Sequence, residues 1–128
     1  VKAKLLIAGS RSFDHYDLFE YYMSLYYCPC DLFEIVSGGA RGADSLGERW
    51  AKEKGVRVKQ FLPDYNSAPN PKQAPLIRNA KMAEYADIAL IFWDGKSRGT
   101  ANMMAELAKL GKSFNVVGLG PEENADGE

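Results

Sequence analysis

Four short segments set an arginine beside glycines, hydroxyls or a side-chain amide. They are Gly9-Ser10-Arg11, Ser37-Gly38-Gly39-Ala40-Arg41-Gly42-Ala43-Asp44, Ile77-Arg78-Asn79 and Gly95-Lys96-Ser97-Arg98-Gly99-Thr100. Together they hold four of the six arginines in the chain. Glycine lets backbone amides come close to a ligand, and a guanidinium supplies charge-assisted hydrogen bonds. Three of the segments follow apolar runs directly, and all four lead into helix-like patterns. Such turns bind phosphate, so a nucleotide or nucleotide-derived phosphate is the expected ligand.

The segment from Ser37 to Asp44 carries the strongest signal, with three glycines across five residues at the start of a helix pattern. It is neither a dinucleotide-binding G-x-G-x-x-G nor a P-loop, because their spacing and the Lys-Ser/Thr pair are absent. Ser45 and Glu48 have the spacing of a capping box, so a purely structural turn is the competing reading. Gly99 and Thr100 open a second helix and offer amides and a hydroxyl, while Ser97 or Thr100 can cap it. Arg78 lies near the positive end of its helix, where a cation opposes the dipole unless an anion joins it.

The expected ligand site therefore comprises Gly9, Ser10, Arg11, Ser37, Gly38, Gly39, Arg41, Gly42, Asp44, Arg78, Asn79, Asp94, Gly95, Ser97, Arg98, Gly99 and Thr100. Within it, Gly38, Gly39, Gly42, Gly99 and Thr100 would hold phosphate through the backbone. Arg11, Arg41, Arg78 and Arg98 would supply counter-charge. Should chemistry follow binding, Arg78, Glu106 and Asp44 are the candidates, and Asp94 is a further carboxylate able to reach a ribose hydroxyl. The sole histidine, His15, sits in a first helical turn and reads as a surface residue.

The formal net charge of −1 gives no broad basic face for duplex DNA. Cys28 and Cys30 are two thiols, too few for a structural zinc site, so no metal or other cofactor is expected. No apolar run approaches the ~20 residues that span a bilayer, and no signal segment is visible at Val1. A cytoplasmic protein with reduced thiols is expected.

Apolar runs at Ala3–Ala8, Phe33–Val36, Ile88–Trp93 and Phe114–Leu119 read as strands, and alternating Val56–Leu62 reads as an edge strand. Helix patterns cover Asp14 to Tyr27 with Asp14 as N-cap, Gly42 to Lys54, Ile77 to Ala86 and Thr100 to Leu110. Between them Pro63 to Pro75 contains four prolines and reads as a long loop of the kind that closes over sites. The sum is an α/β, Rossmann-like three-layer sandwich on a parallel five-stranded sheet of order 3-2-1-4-5. One domain is expected over residues 1–119, followed by an acidic disordered tail over 120–128. Ligands of such sheets bind at the carboxyl ends of the strands, where these loops meet.

Phe19, Tyr21, Tyr22, Tyr26 and Tyr27 spread around the first helix more widely than one core face needs. They would line the ligand cleft, form the interface of a homo-oligomer, which is favoured, or offer a stacking surface for nucleic acid.

The runs from Ile35 to Ala51 and from Pro75 to Met104 resemble the YspA/YpsA-related branch of the SMF/DprA–LOG (SLOG) superfamily. The resemblance extends from about Leu5 to Val117. It implies a Rossmann-like sheet, binding of nucleotides or their derivatives, frequent homo-oligomers and phage or bacterial contexts. Val36 to Asp44 is similar to the phosphate loop of DNA-processing protein A, which implies single-stranded DNA binding. Arg78-Asn79 with Gly95 to Thr100 is similar to motifs of the LOG phosphoribohydrolases, which release a base from a nucleoside monophosphate. Asn102 and Met103 stand where that motif has paired glutamates, so the resemblance leaves enzymatic activity open.

Overall fold

The computed structural model describes residues 2–120. The expected tail over 120–128 lies, from 121 onward, outside the described residues. Strands β1 (Ala3–Gly9), β2 (Leu32–Ser37), β3 (Arg57–Gln60), β4 (Ile88–Trp93) and β5 (Phe114–Gly118) form one sheet of order β3-β2-β1-β4-β5. Every pairing is parallel. The connecting helices are α1 (Tyr16–Tyr26), α2 (Ala43–Lys54), α3 (Ala74–Tyr85) and α4 (Arg98–Lys109).

Two cores sandwich the sheet, and the period-2 geometry of a strand assigns residues to each. Leu5 and Ile7 of β1, Ile35 of β2 and Leu90 and Phe92 of β4 meet Phe19 and Met23 of α1 and Leu46, Trp50 and Ala51 of α2. The intervening Leu6, Ala8, Val36, Ala89 and Ile91 meet Met82 and Ala83 of α3 and Met103 and Leu107 of α4. Continuous apolar runs are thus required in β1 and β4 because both faces are covered. Each fully buried Leu, Ile or Phe contributes about 1.5–3 kcal/mol. Gly47 lets α2 lie close to β1, since a Cβ there would stand 3.1 Å from the Ile7 side chain.

Several element ends differ from those expected. His15, not Asp14, caps α1, its Nδ1 accepting from Leu18 N at 3.2 Å. Helix α3 begins at Ala74 because Pro75 suits a first turn, where its missing N–H costs nothing. Ser97 caps α4, so that helix begins at Arg98. Strand β3 is exposed at all four positions rather than half-buried, having a strand neighbour on one side only. Glu48 makes no capping box. Its Oε2 accepts from Ser37 Oγ at 2.6 Å and Gln60 Nε2 at 2.8 Å, while Ser45 Oγ donates to Ala40 O.

The chain runs from β1 outward through β2 to β3, then returns to start β4 on the other side of β1. Loops leaving β1 and β4 therefore diverge and open a crevice at the carboxyl edge.

Candidate functional site

A cavity of about 600 Å³ occupies that crevice. Its wall includes Gly9 and Arg11 after β1, Gly38, Gly39, Ala40, Arg41 and Asp44 around the start of α2, and Arg78 and Asn79 of α3. Ser97, Gly99 and Thr100 at the start of α4 complete the polar part. Ser10, Ser37, Gly42, Asp94, Gly95, Arg98 and Glu106 are not among the lining residues. Nor is any residue of α1, which removes its tyrosines from the cleft.

Most residues missing from the wall hold it in shape. Ser10 is 1 % exposed and ties three elements together. Its N–H donates to Phe92 O, its carbonyl accepts from Ala43 N, and its Oγ accepts from Asp94 N at 3.1 Å. Gly42 adopts φ +84°, and a Cβ would collide with the Ser10 carbonyl and the Arg11 backbone. Asp94 Oδ1 accepts from Lys96 N at 2.8 Å and Ser97 N at 2.9 Å, closing the turn that presents α4. Partial burial pushes the Asp94 carboxyl up, but these amides and Ser10 outweigh it and hold the group below its ordinary range. Glu106 pairs with Lys109 at 3.4 Å along α4.

The glycine loop is arranged differently from an open phosphate cradle. Asp44 Oδ2 accepts from Gly38 N at 3.1 Å and Ala40 N at 3.3 Å, and Gly39 N donates to Ser37 Oγ at 3.1 Å. The amides expected at Gly38 and Gly39 to meet phosphate thus already have acceptors. Burial pushes the Asp44 carboxyl up to about 6, against the lowering effects of the Ala40 amide, the Arg78 guanidinium and the Gly38 amide. Asp44 Oδ1 makes no hydrogen bond within the described residues, and Asp44 lines the cavity.

Arg78 is a brace as well as a cation. Its Nη1 donates to Gly38 O at 2.6 Å and Phe61 O at 3.2 Å, and its Nε donates to Asn79 Oδ1. Asn79 Nδ2 in turn donates to Gly99 O at 3.3 Å and Asn102 Oδ1 at 2.9 Å, locking α3 to the start of α4. At α4 the Ser97 Oγ accepts from Thr100 N, and the Ser97 and Thr100 hydroxyls lie 3.0 Å apart. No hydrogen-bond acceptor for Gly99 N occurs among the described residues, and Gly99 lines the cavity at the positive end of the helix dipole. Arg11 and Arg41 are exposed and reach the wall from the side of β1 and β2.

Sequence reasoning missed the apolar part of the wall: Ala8, Leu62, Pro63, Tyr65, Pro75, Leu76, Met82 and Met103. The proline-rich stretch between β3 and α3 was its one legible signal. Met103, at a position of the LOG glutamate pair, is 2 % exposed and belongs to the core under the cavity.

The family described as YAcAr, the YspA, cpYpsA-related SLOG family, matches residues 3–67, which carry β1, β2, β3 and the first two arginine loops. The chain belongs to this SLOG family. A curated relative, the Gene 61 protein of Mycobacterium phage D29, is 38 % identical over 81 residues, which make up 60 % of this chain and 65 % of that protein. The chain therefore spans just under two thirds of the relative's length. Among solved structures, DNA processing protein A from Streptococcus pneumoniae superposes with a TM-score of 0.74 at 15 % identity. The match covers 98 % of this SLOG chain and 54 % of that one, a likeness of fold. The expected sheet order and fold class are those observed. Among the described residues, no helix is long and apolar enough to cross a membrane.

Proposed function

We propose that this SLOG domain binds a nucleotide or nucleotide-derived phosphate in the crevice at the carboxyl edge of its sheet, as a sensor or binding protein. The observation that carries the reading is the convergence of Arg11, Arg41 and the Gly99 amide on one 600 Å³ cavity. Asp44 already fills the amides of the glycine loop, so the phosphate belongs at the start of α4, between the exposed arginines. Asp44 Oδ1 then faces a ribose hydroxyl rather than a phosphate. A thermal-shift screen of mono-, di- and cyclic nucleotides tests the reading. A ligand at a hundredfold its Kd adds about 2.7 kcal/mol of stability. No shift with any of them would remove the proposal.

A second reading, cleavage of the N-glycosidic bond, is favoured by the raised Asp44 carboxyl. A group that titrates near 6 can donate a proton to a departing base at neutral pH. Incubation with nucleoside monophosphates and assay of free base tests it. Release that persists in Asp44→Asn would exclude Asp44 as the acid.

Self-association through α1 belongs to the same proposal. Tyr21, Leu25 and Tyr26 are 55 %, 59 % and 45 % exposed, on a helix that takes no part in the cavity. Light scattering on Leu25→Glu should report a smaller species than the parent. An unchanged mass would exclude this face as the interface.

A further inference from the structure

The stretch from Leu62 into the first turn of α3 exposes three large apolar side chains on the cavity wall: Leu62 at 65 %, Tyr65 at 55 % and Leu76 at 45 %. Pro63 and Pro75 line the wall with them. Ala8, Met82 and Met103 add further apolar surface to the same cavity, and a phosphate or a sugar has no use for it.

This wall is held in place. Phe61 N donates to Ser37 O at 2.8 Å, and Phe61 O accepts from Arg78 Nη1. Leu62 lies against the glycine loop, since a Cβ at Gly39 would stand 2.7 Å from its Cδ2. Asp64 Oδ1 accepts from Asn66 N and Ser67 N, and Oδ2 accepts from Ser67 Oγ at 2.8 Å, closing a turn across Tyr65. At the far end, Asn70 caps a short turn of helix over Pro71–Gln73 that leads into α3. An aromatic ring carried on a fixed backbone turn presents a face that accepts any aromatic base.

We propose that Leu62, Pro63, Tyr65, Pro75 and Leu76 form a nucleobase subsite, with the base of a nucleoside 5′-phosphate lying on Tyr65 and its phosphate toward Arg11, Arg41 and α4. The proposal rests on the nucleotide reading above and adds where the base goes. These side chains offer π and apolar faces and one phenolic hydroxyl. They therefore select an aromatic base over a bare sugar phosphate and discriminate little between bases.

Calorimetric titration of the full chain with AMP, ribose 5-phosphate and inorganic phosphate tests it, in the parent, Tyr65→Ala and Tyr65→Trp. AMP should bind at least about tenfold more tightly than ribose 5-phosphate, in line with the loss seen when a stacking ring is truncated. Tyr65→Ala should erase that margin without weakening ribose 5-phosphate or lowering the melting temperature, and Tyr65→Trp should keep it. Equal binding of AMP and ribose 5-phosphate by the parent would overturn the base subsite and leave phosphate binding standing. So would a Tyr65→Ala variant that weakens both alike. No binding of any probe would remove the nucleotide reading itself and the subsite with it. A Tyr65→Ala variant that binds AMP like the parent but changes mass by light scattering would make the wall a protein contact and overturn the proposal.

Discussion

Replacing Asp44 by asparagine probes the electrostatics at the centre of the glycine loop. The substitution keeps an oxygen for the Gly38 and Ala40 amides and removes the charge. Burial raises the carboxyl from 3.8 to about 6, roughly two units, so the folded state holds the proton more tightly than the unfolded chain. The resulting stabilisation is complete below about 3.8 and disappears as pH rises through about 6. At about 1.4 kcal/mol per unit, the loss approaches about 3 kcal/mol once Asp44 is ionised. Urea unfolding of the parent and of Asp44→Asn, from about pH 4 to about pH 7.5, measures this. The stability of the variant relative to the parent should rise by about 2.4 kcal/mol across that window, most of the full effect. Asp44→Ala serves as the comparator. It strands two amides and should lose about 1–3 kcal/mol for each that stays buried. Parallel pH profiles for the parent and Asp44→Asn would refute the reasoning. A relative stability that falls with pH would show that Arg78 and the amides outweigh burial.

Other residues of the site separate by what they touch. Arg41→Ala should leave stability within about half a kcal/mol, being exposed, but weaken nucleotide binding about ten- to a hundredfold in a titration. Arg78→Ala removes the bonds to Gly38 O and Phe61 O and should lower urea stability by about 2 kcal/mol, discounted for its partial exposure. A change as small as that expected for Arg41 would deny Arg78 its bracing role. Gly9→Ala should cost about 2–3 kcal/mol, because a Cβ there meets the Phe92 carbonyl and the Ala43 side chain. A melting temperature equal to the parent's would contradict that close approach.

The residues alone determined the architecture and which loops gather around the cavity. Apolar runs at β1 and β4, wetted on neither face, demanded a parallel sheet covered on both sides. Gly39 and Gly42 stand at positive φ in a turn that glycine spacing announces locally. Gly9, Arg11, Gly38, Gly39, Arg41, Asp44, Arg78, Asn79, Ser97, Gly99 and Thr100 were all expected at the site and line the cavity. What the tertiary structure decided is which polar group answers which. Asp44 turns back onto amides expected to meet phosphate, and Arg78 crosses 40 residues of sequence to the Gly38 carbonyl. Glu48 leaves the helix start for Ser37 and Gln60, and the proline-rich segment supplies an apolar wall. Periodicity reports which face of an element is dry because burial repeats with the geometry of a strand or helix. A hydrogen-bond partner follows from which groups are brought together and stripped of water, and that is settled only when distant segments pack.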